Sequence, residues 1–303
     1  MPKKILAFVL GGGGARGAYQ VGALRALLEA GYRPDLLVGT SIGAVNAAHL
    51  ALNGVEISSI EKLVNAWHDA AEADLMPSNY LWLTIRTLFY RTEKDTFHRM
   101  RDFFIAHALT PDIRFKDLQG VRLIVVSVDL NTGQVIPYGV DPNQSVLEGV
   151  LASTALPPWI RPLHKDEQLL MDGGVVCNLP IEIAMSQGAT EIIALDLADP
   201  RRIPEDIPSF GTFFYKLVQT IEQRQIELEL ALAKARRMTV RHIRLCGERL
   251  TPVWDFQYTD ELIAHGYTVT RQAIQQWQNE PRSAWWLPRL GEKIKAKLTG
   301  DTK

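Results

Sequence analysis

The stretch FVLGGGGARGAYQVGAL, from Phe8 to Leu24, limits what this chain can fold into more than any other. An unbroken apolar run, Ile5 to Leu10, has the length of a strand and no polar alternation, as expected when both faces are buried. Four glycines follow at once, Gly11 to Gly14. From Ala15 to Ala30, Val21, Leu24, Leu27 and Leu28 recur at helical spacing, and Gly31 stands where a helix commonly ends. Strand, glycine turn and helix in this order open a parallel sheet covered on both sides. Glycine loses more conformational freedom on folding than any other residue, so four in a row call for a function. Here the expectation is backbone N–H groups brought close to negative charge. That charge is either a bound phosphate or one that develops in a transition state.

The unit repeats. Asp35–Gly39 reads as a second buried strand, and SIGAVNAAHLAL opens a second helix at Ser41. From about residue 55 to 120 the pattern is helical without strands, an insertion expected over one end of the sheet. Strands resume at VRLIVVSVDL, QVIPYG, QLLMDGG and EIIALDL. A long helix is predicted from about Gly211 to Met238, then a short strand VRHIRL and a helix from Asp260 to Gln278. The expected fold is an α/β three-layer sandwich with a central, largely parallel sheet, a helical insertion and a helical C-terminal region. The predicted organisation is a main unit over residues 5–200 and a C-terminal helical extension, 201–303, packed on the same domain.

Composition narrows the partners. The 303 residues are 47% hydrophobic and 22% charged, with a formal net charge of -1. That balance gives no electrostatic footing for nucleic acid as the main partner. Two cysteines, Cys177 and Cys246, are too few for a disulfide scaffold or a cysteine zinc site. The first apolar run is too short for a signal-peptide core, and no stretch approaches the length of a membrane span. The cytoplasm is the expected location.

Ser41 lies in GTSIG, a G-x-S-x-G pattern between a predicted strand and a predicted helix. Small residues at Gly39 and Gly43 permit the sharp turn that lifts a serine hydroxyl to the sheet edge. Neighbouring parallel strands end at one edge, so the glycine loop and Ser41 should share a crevice. N–H groups beside a serine nucleophile suit the oxyanion of acyl transfer. The rival is a dinucleotide fingerprint, Gly12-x-Gly14-x-x-Gly17, in a nucleotide-binding or scaffold protein without hydrolase activity. It needs an acidic residue at the end of the second strand, yet Asp35 stands at its beginning, and no G-K-[ST] follows the glycines. For a base, Asp129, Asp172 and Asp196 all end predicted strands, and the Gly173–Gly174 pair favours Asp172. His242 and His265 follow Asp172, so chain order permits a Ser–acid–His triad. Their settings, inside a short strand and a helix, argue against it.

Together, GGGGARGAYQVGAL, VGTSIGAVNAA, ASTALPPWIRPL and LLMDGGVVCNLPIEIAMSQGA resemble the bacterial patatin-like phospholipases. The resemblance covers about Ile5–Leu197, with a weaker extension to WDFQYTDELIAHGY. It implies that Ser41 is the nucleophile of a Ser–Asp dyad and Asp172 its general base. It further implies an oxyanion hole from Gly12, Gly13 and Gly14, with Arg16, Gly17, Gly39, Gly43, Gly173 and Gly174 completing the motifs. The implied activity is hydrolysis of acyl esters in a lipid or phospholipid substrate, with no metal and no cofactor. Two segments bear on peripheral membrane contact. The aromatic, apolar Asn79–Tyr90 reads first as a buried cap helix and second as an acyl-chain or membrane surface. A lysine-rich tail from Arg289, with Leu290, Ile294 and Leu298 on one side, suits an anionic interface and an ordinary docking helix equally. A rigid turn is expected at Pro157–Trp159.

Overall fold

Each of the first two predicted strands forms and hands over to a helix. In the computed structural model, which describes residues 4–73, 75, 94–157, 160–199, 210–247 and 251–279, β1 (Leu6–Leu10) ends at the glycines. A 3-10 turn, Gly14–Gly17, then leads into α1 (Ala18–Glu29). β2 (Leu36–Thr40) passes through Ser41 into α2 (Ile42–Asn53), followed by α3 (Ile57–Glu72) and α4 (Lys94–Ala106). β3 (Arg122–Asp129) and β4 (Val135–Tyr138) precede α5 (Val146–Ser153). β5 (Leu163–Lys165), β6 (Gln168–Asp172) and α6 (Ile181–Ser186) come next. β7 (Glu191–Asp196), α7 (Phe210–Ala235), β8 (Thr239–Arg244) and α8 (Thr259–Asn279) complete the order. Asn79–Tyr90, Pro158–Trp159 and the tail from Arg289 lie outside the described residues.

The sheet runs β5-β6-β3-β2-β1-β7-β8, with β4 also paired to β3. Five neighbours, β3, β2, β1, β7 and β8, are parallel, while β4, β5 and β6 join antiparallel. Alternate residues of the parallel strands feed two cores. Phe8, Leu10, Leu37, Leu123 and Leu195 pack with α1, α2, α3, α5 and α8. Ala7, Val9, Val38, Ile124 and Ala194 face the other way, toward α6 and α7. Burial on both faces explains why the strands read as unbroken apolar runs. The result is the three-layer, largely parallel architecture expected from the sequence.

Strand register positions the site. The chain leaves β1 toward β2 on one side, while β7 pairs on the other side of β1. The glycine loop therefore sits where the strand order reverses, the usual location of an α/β crevice. Thr40 pairs with Val126, and the next residue of β3, Ser127, pairs with Asp172. Ser41 and Asp172 thus end at one level on either side of β3. β6 runs against β3, so its last residue reaches this level only because β3 extends beyond β2.

Candidate active site

Ser41 is held in a conformation that few side chains adopt. Its φ is 55° and ψ is −126°, at the N-cap of α2. The left-handed φ on a non-glycine residue stores strain, as in a nucleophile elbow. The flanking glycines make the turn possible. A Cβ on Gly39 would lie 2.5 Å from the Gly43 carbonyl oxygen, and one on Gly43 would lie 2.2 Å from that of Leu10. The Ser41 N–H donates to Ser153 Oγ at 2.8 Å, and Ser153 Oγ donates in turn to the Val126 carbonyl at 2.6 Å. Ser153, at the end of α5, therefore ties the elbow to β3.

The Ser41 hydroxyl donates to Asp172 Oδ2 at 2.6 Å. Asp172 Oδ1 accepts the Gly174 N–H at 2.8 Å. Its side chain is buried, and desolvation pushes the carboxyl from 3.8 up to about 6, against the bonds from Ser41 and Gly174. Gly173 must be glycine, because a Cβ would meet the Val126 carbonyl at 2.5 Å. The competing carboxylates are otherwise engaged. Asp129 accepts from Asn131 N–H, Thr132 Oγ1 and Leu169 N–H. Asp196 pairs with His242 at 2.8 Å and with Arg244. His265 faces the Cys246 carbonyl. Among the described residues, no histidine bonds to Ser41 or Asp172.

The glycine loop is pinned on both flanks. Gly11 N–H donates to the Leu195 carbonyl, Ala15 N–H to that of Val253 and Arg16 N–H to that of Gly13. Gly12 N–H, one of three donors expected from sequence, is engaged by both oxygens of Asn178, at 3.2 Å and 3.1 Å. Its Cα instead approaches the serine, since an added Cβ would lie 3.1 Å from Ser41 Cβ. The N–H groups of Gly13 and Gly14 have no partner among the described residues. Gly14 has a φ of 56°, and a Cβ there would strike the Val253 carbonyl at 2.2 Å. Gly17 packs against Ile42, leaving 2.4 Å for a Cβ. Below the loop, Gln20 Nε2 donates to the Gly11 carbonyl at 2.8 Å. Asn46 Nδ2 donates to the Gly17 carbonyl and to Gln20 Oε1, and Trp67 Nε1 donates to Asn46 Oδ1.

The dinucleotide reading lacks its acidic residue. Asp35 sits at the opposite edge, where Oδ2 accepts the Leu6 N–H at 3.0 Å. Ser153, Asn178, Gln20 and Asn46 were not singled out from sequence. The first two lie inside the blocks ASTALPPWIRPL and LLMDGGVVCNLP, but only the strand register brings them to the site.

A family profile described as Patatin-like phospholipase matches residues 8–185. The chain belongs to the patatin-like phospholipase family. It is 34% identical over 214 residues to mouse patatin-like phospholipase domain-containing protein 7, covering 68% of this chain and 14% of that protein. It is 31% identical over 208 residues to the Drosophila melanogaster neuropathy target esterase sws, again covering 68% of this chain and 14% of that protein. The matched part thus spans 14% of the length of these curated relatives. Among solved structures, VipD from Legionella pneumophila has a TM-score of 0.49 and 14% identity, covering 90% of this chain and 67% of that one.

Proposed function

We propose that this chain is a serine acyl hydrolase that cleaves carboxylic ester bonds of lipids through Ser41 and Asp172. The observation that carries the reading is the 2.6 Å hydrogen bond from a strained serine at the N-cap position of α2 to a buried aspartate. Family membership and the names of the relatives, phospholipase and esterase, support an ester of a lipid as substrate. Peripheral contact with a membrane fits such a substrate. Among the described residues, no helix is long and apolar enough to cross a membrane. The same reading treats residues 5–200 as the catalytic unit and 201–303 as its extension, which the pairing of β8 with β7 supports.

In the first step Ser41 Oγ attacks the ester carbonyl carbon while its proton passes to Asp172 Oδ2. The carbonyl oxygen becomes an oxyanion, stabilised by the Gly13 and Gly14 N–H groups and the N-terminal dipole of α2. Collapse breaks the bond to the alcohol oxygen, which takes the proton from Asp172. Water then attacks the acyl-enzyme, gives a proton to Asp172, and the fatty acid leaves as Ser41 regains its hydrogen. A surface aspartate is a poor base for a serine hydroxyl. Burial makes Asp172 a stronger one, and contact at hydrogen-bond distance makes the transfer intramolecular. A fluorophosphonate probe tests this: wild type should be labelled and Ser41→Ala should not. Labelling of the alanine variant at the wild-type rate would place the nucleophile elsewhere.

A further inference from the structure

Arg16 carries its charge into the interior, with a side chain only 4% exposed. Its backbone N–H and its Nε both donate to the Gly13 carbonyl, at 3.2 Å and 3.3 Å. That carbonyl and the Gly14 N–H belong to one planar trans peptide unit and point in opposite directions. Gripping the oxygen therefore fixes the direction of an N–H that the proposed mechanism uses. Arg16 has one ion pair among the described residues, from Nη2 to Glu222 Oε2 on α7 at 3.9 Å. Arg16 Nη1 and Glu222 Oε2 are both buried, with no hydrogen-bond partner among the described residues. Loss of Glu222 would leave this buried guanidinium without its counter-ion, a costly state that the side chain can relieve only by moving.

We propose that Glu222 is a positioning residue: by holding Arg16, it fixes the Gly13 carbonyl and so aims the Gly14 N–H at the oxyanion. Glu222 lies beyond the segment that the family profile matches, residues 8–185, so α7 supplies a part of the site which that segment lacks. The groups facing Glu222 are Arg16 from the glycine loop, Asp172 from the end of β6 and Asp196 from the end of β7. Burial, opposed by Arg16 and reinforced by the two aspartates, pushes its carboxyl up to about 7. The pair is therefore fully charged only above neutrality.

This inference rests on the hydrolase reading, and the test separates the two. Turnover of a short-chain nitrophenyl ester is measured for wild type, Glu222→Gln, Arg16→Gln and the double variant, below their melting temperatures. Glu222→Gln should lower kcat roughly ten- to a hundredfold with KM within about twofold, because misaimed donors weaken the transition state selectively. The double variant should lose no more than the worse single one, as residues acting as a unit do. Wild-type kcat should rise with pH through about 7, a step missing in Glu222→Gln. Should the glutamine variant fold poorly, Glu222→Met, which removes charge and keeps volume, is read the same way. A labelled, active wild type with a Glu222→Gln kcat within twofold, or with losses that multiply in the double variant, overturns the inference alone. A wild type that neither reacts with the probe nor turns over the ester overturns the hydrolase reading and this inference with it.

Discussion

A serine and an aspartate 2.6 Å apart can act as a pair only if nothing else claims the proton, and among the described residues no histidine does. His242 is committed to Asp196 and His265 to the Cys246 carbonyl. His242→Ala and His265→Ala should therefore keep most ester turnover, within a few-fold of wild type. Asp172→Asn should reduce kcat by at least about a hundredfold, the range of a lost general base. The free enzyme needs Asp172 ionised, so kcat/KM should fall with decreasing pH through about 6. A pH–rate series on wild type and the three variants checks both claims, and a dead, folded histidine variant would replace the dyad by a triad. These residues differ in how far they could be read from sequence. Ser41 and its glycines are legible because the elbow is local, with Gly39 and Gly43 on either side of the serine. Asp172 could be chosen among three strand-end aspartates only by its two following glycines. Glu222 left no local mark, since a glutamate in a long helix is normally a solvated side chain.

At the level of elements, the sheet and the long helices were legible because each has a long, unmixed pattern. Two short helices and a short strand were not. α5 is apolar nearly all round, VLEGVLAS, and a short buried apolar run has no period to distinguish helix from strand. α6 and β5 are only 6 and 3 residues long. Another hidden feature is the contact between α1 and α8. A Cβ on Gly22 would lie 1.9 Å from the Ile263 carbonyl, and one on Gly266 would lie 2.0 Å from the Tyr19 carbonyl. The two backbones touch through paired glycines, and α1 continues directly from the glycine loop. Alanine at Gly266 would gain about 1 kcal/mol of helix propensity. The obstacle is backbone, which cannot rotate aside, and overpacking of this kind costs about 1–3 kcal/mol or more. The clash should win. Gly266→Ala should lower the melting temperature by several degrees and reduce kcat as α1 shifts the loop, both read on one preparation. A variant as stable and active as wild type would mean that the helices separate freely.

For the whole molecule, the buried acid that serves the proposed chemistry is a liability to the fold. Asp172 holds its proton more tightly folded, at about 6, than its ordinary 3.8. Between roughly pH 4 and 6 the unfolded chain has lost this proton while the folded chain keeps it. Stability contributed at this position therefore falls as pH rises through that window, and the loss is complete above it. Two units correspond to about 3 kcal/mol as an upper scale. Little solvent screening reduces it, because the side chain is 3% exposed. Glu222 titrates in the same direction, from 4.5 to about 7, and because the Asp172 charge is one cause of that rise, Asn at position 172 eases it and widens the gap at high pH. Asn at position 172 removes the charge and keeps an oxygen for the Gly174 N–H and an amide for Ser41. Asp172→Asn should therefore be about 1–3 kcal/mol more stable than wild type at pH 8, with the gap closing near pH 4. Urea denaturation of both proteins at the two pH values measures it. An equal gap at both would mean that Asp172 is not held above its ordinary range, and would remove the account of how an aspartate alone serves as base for Ser41.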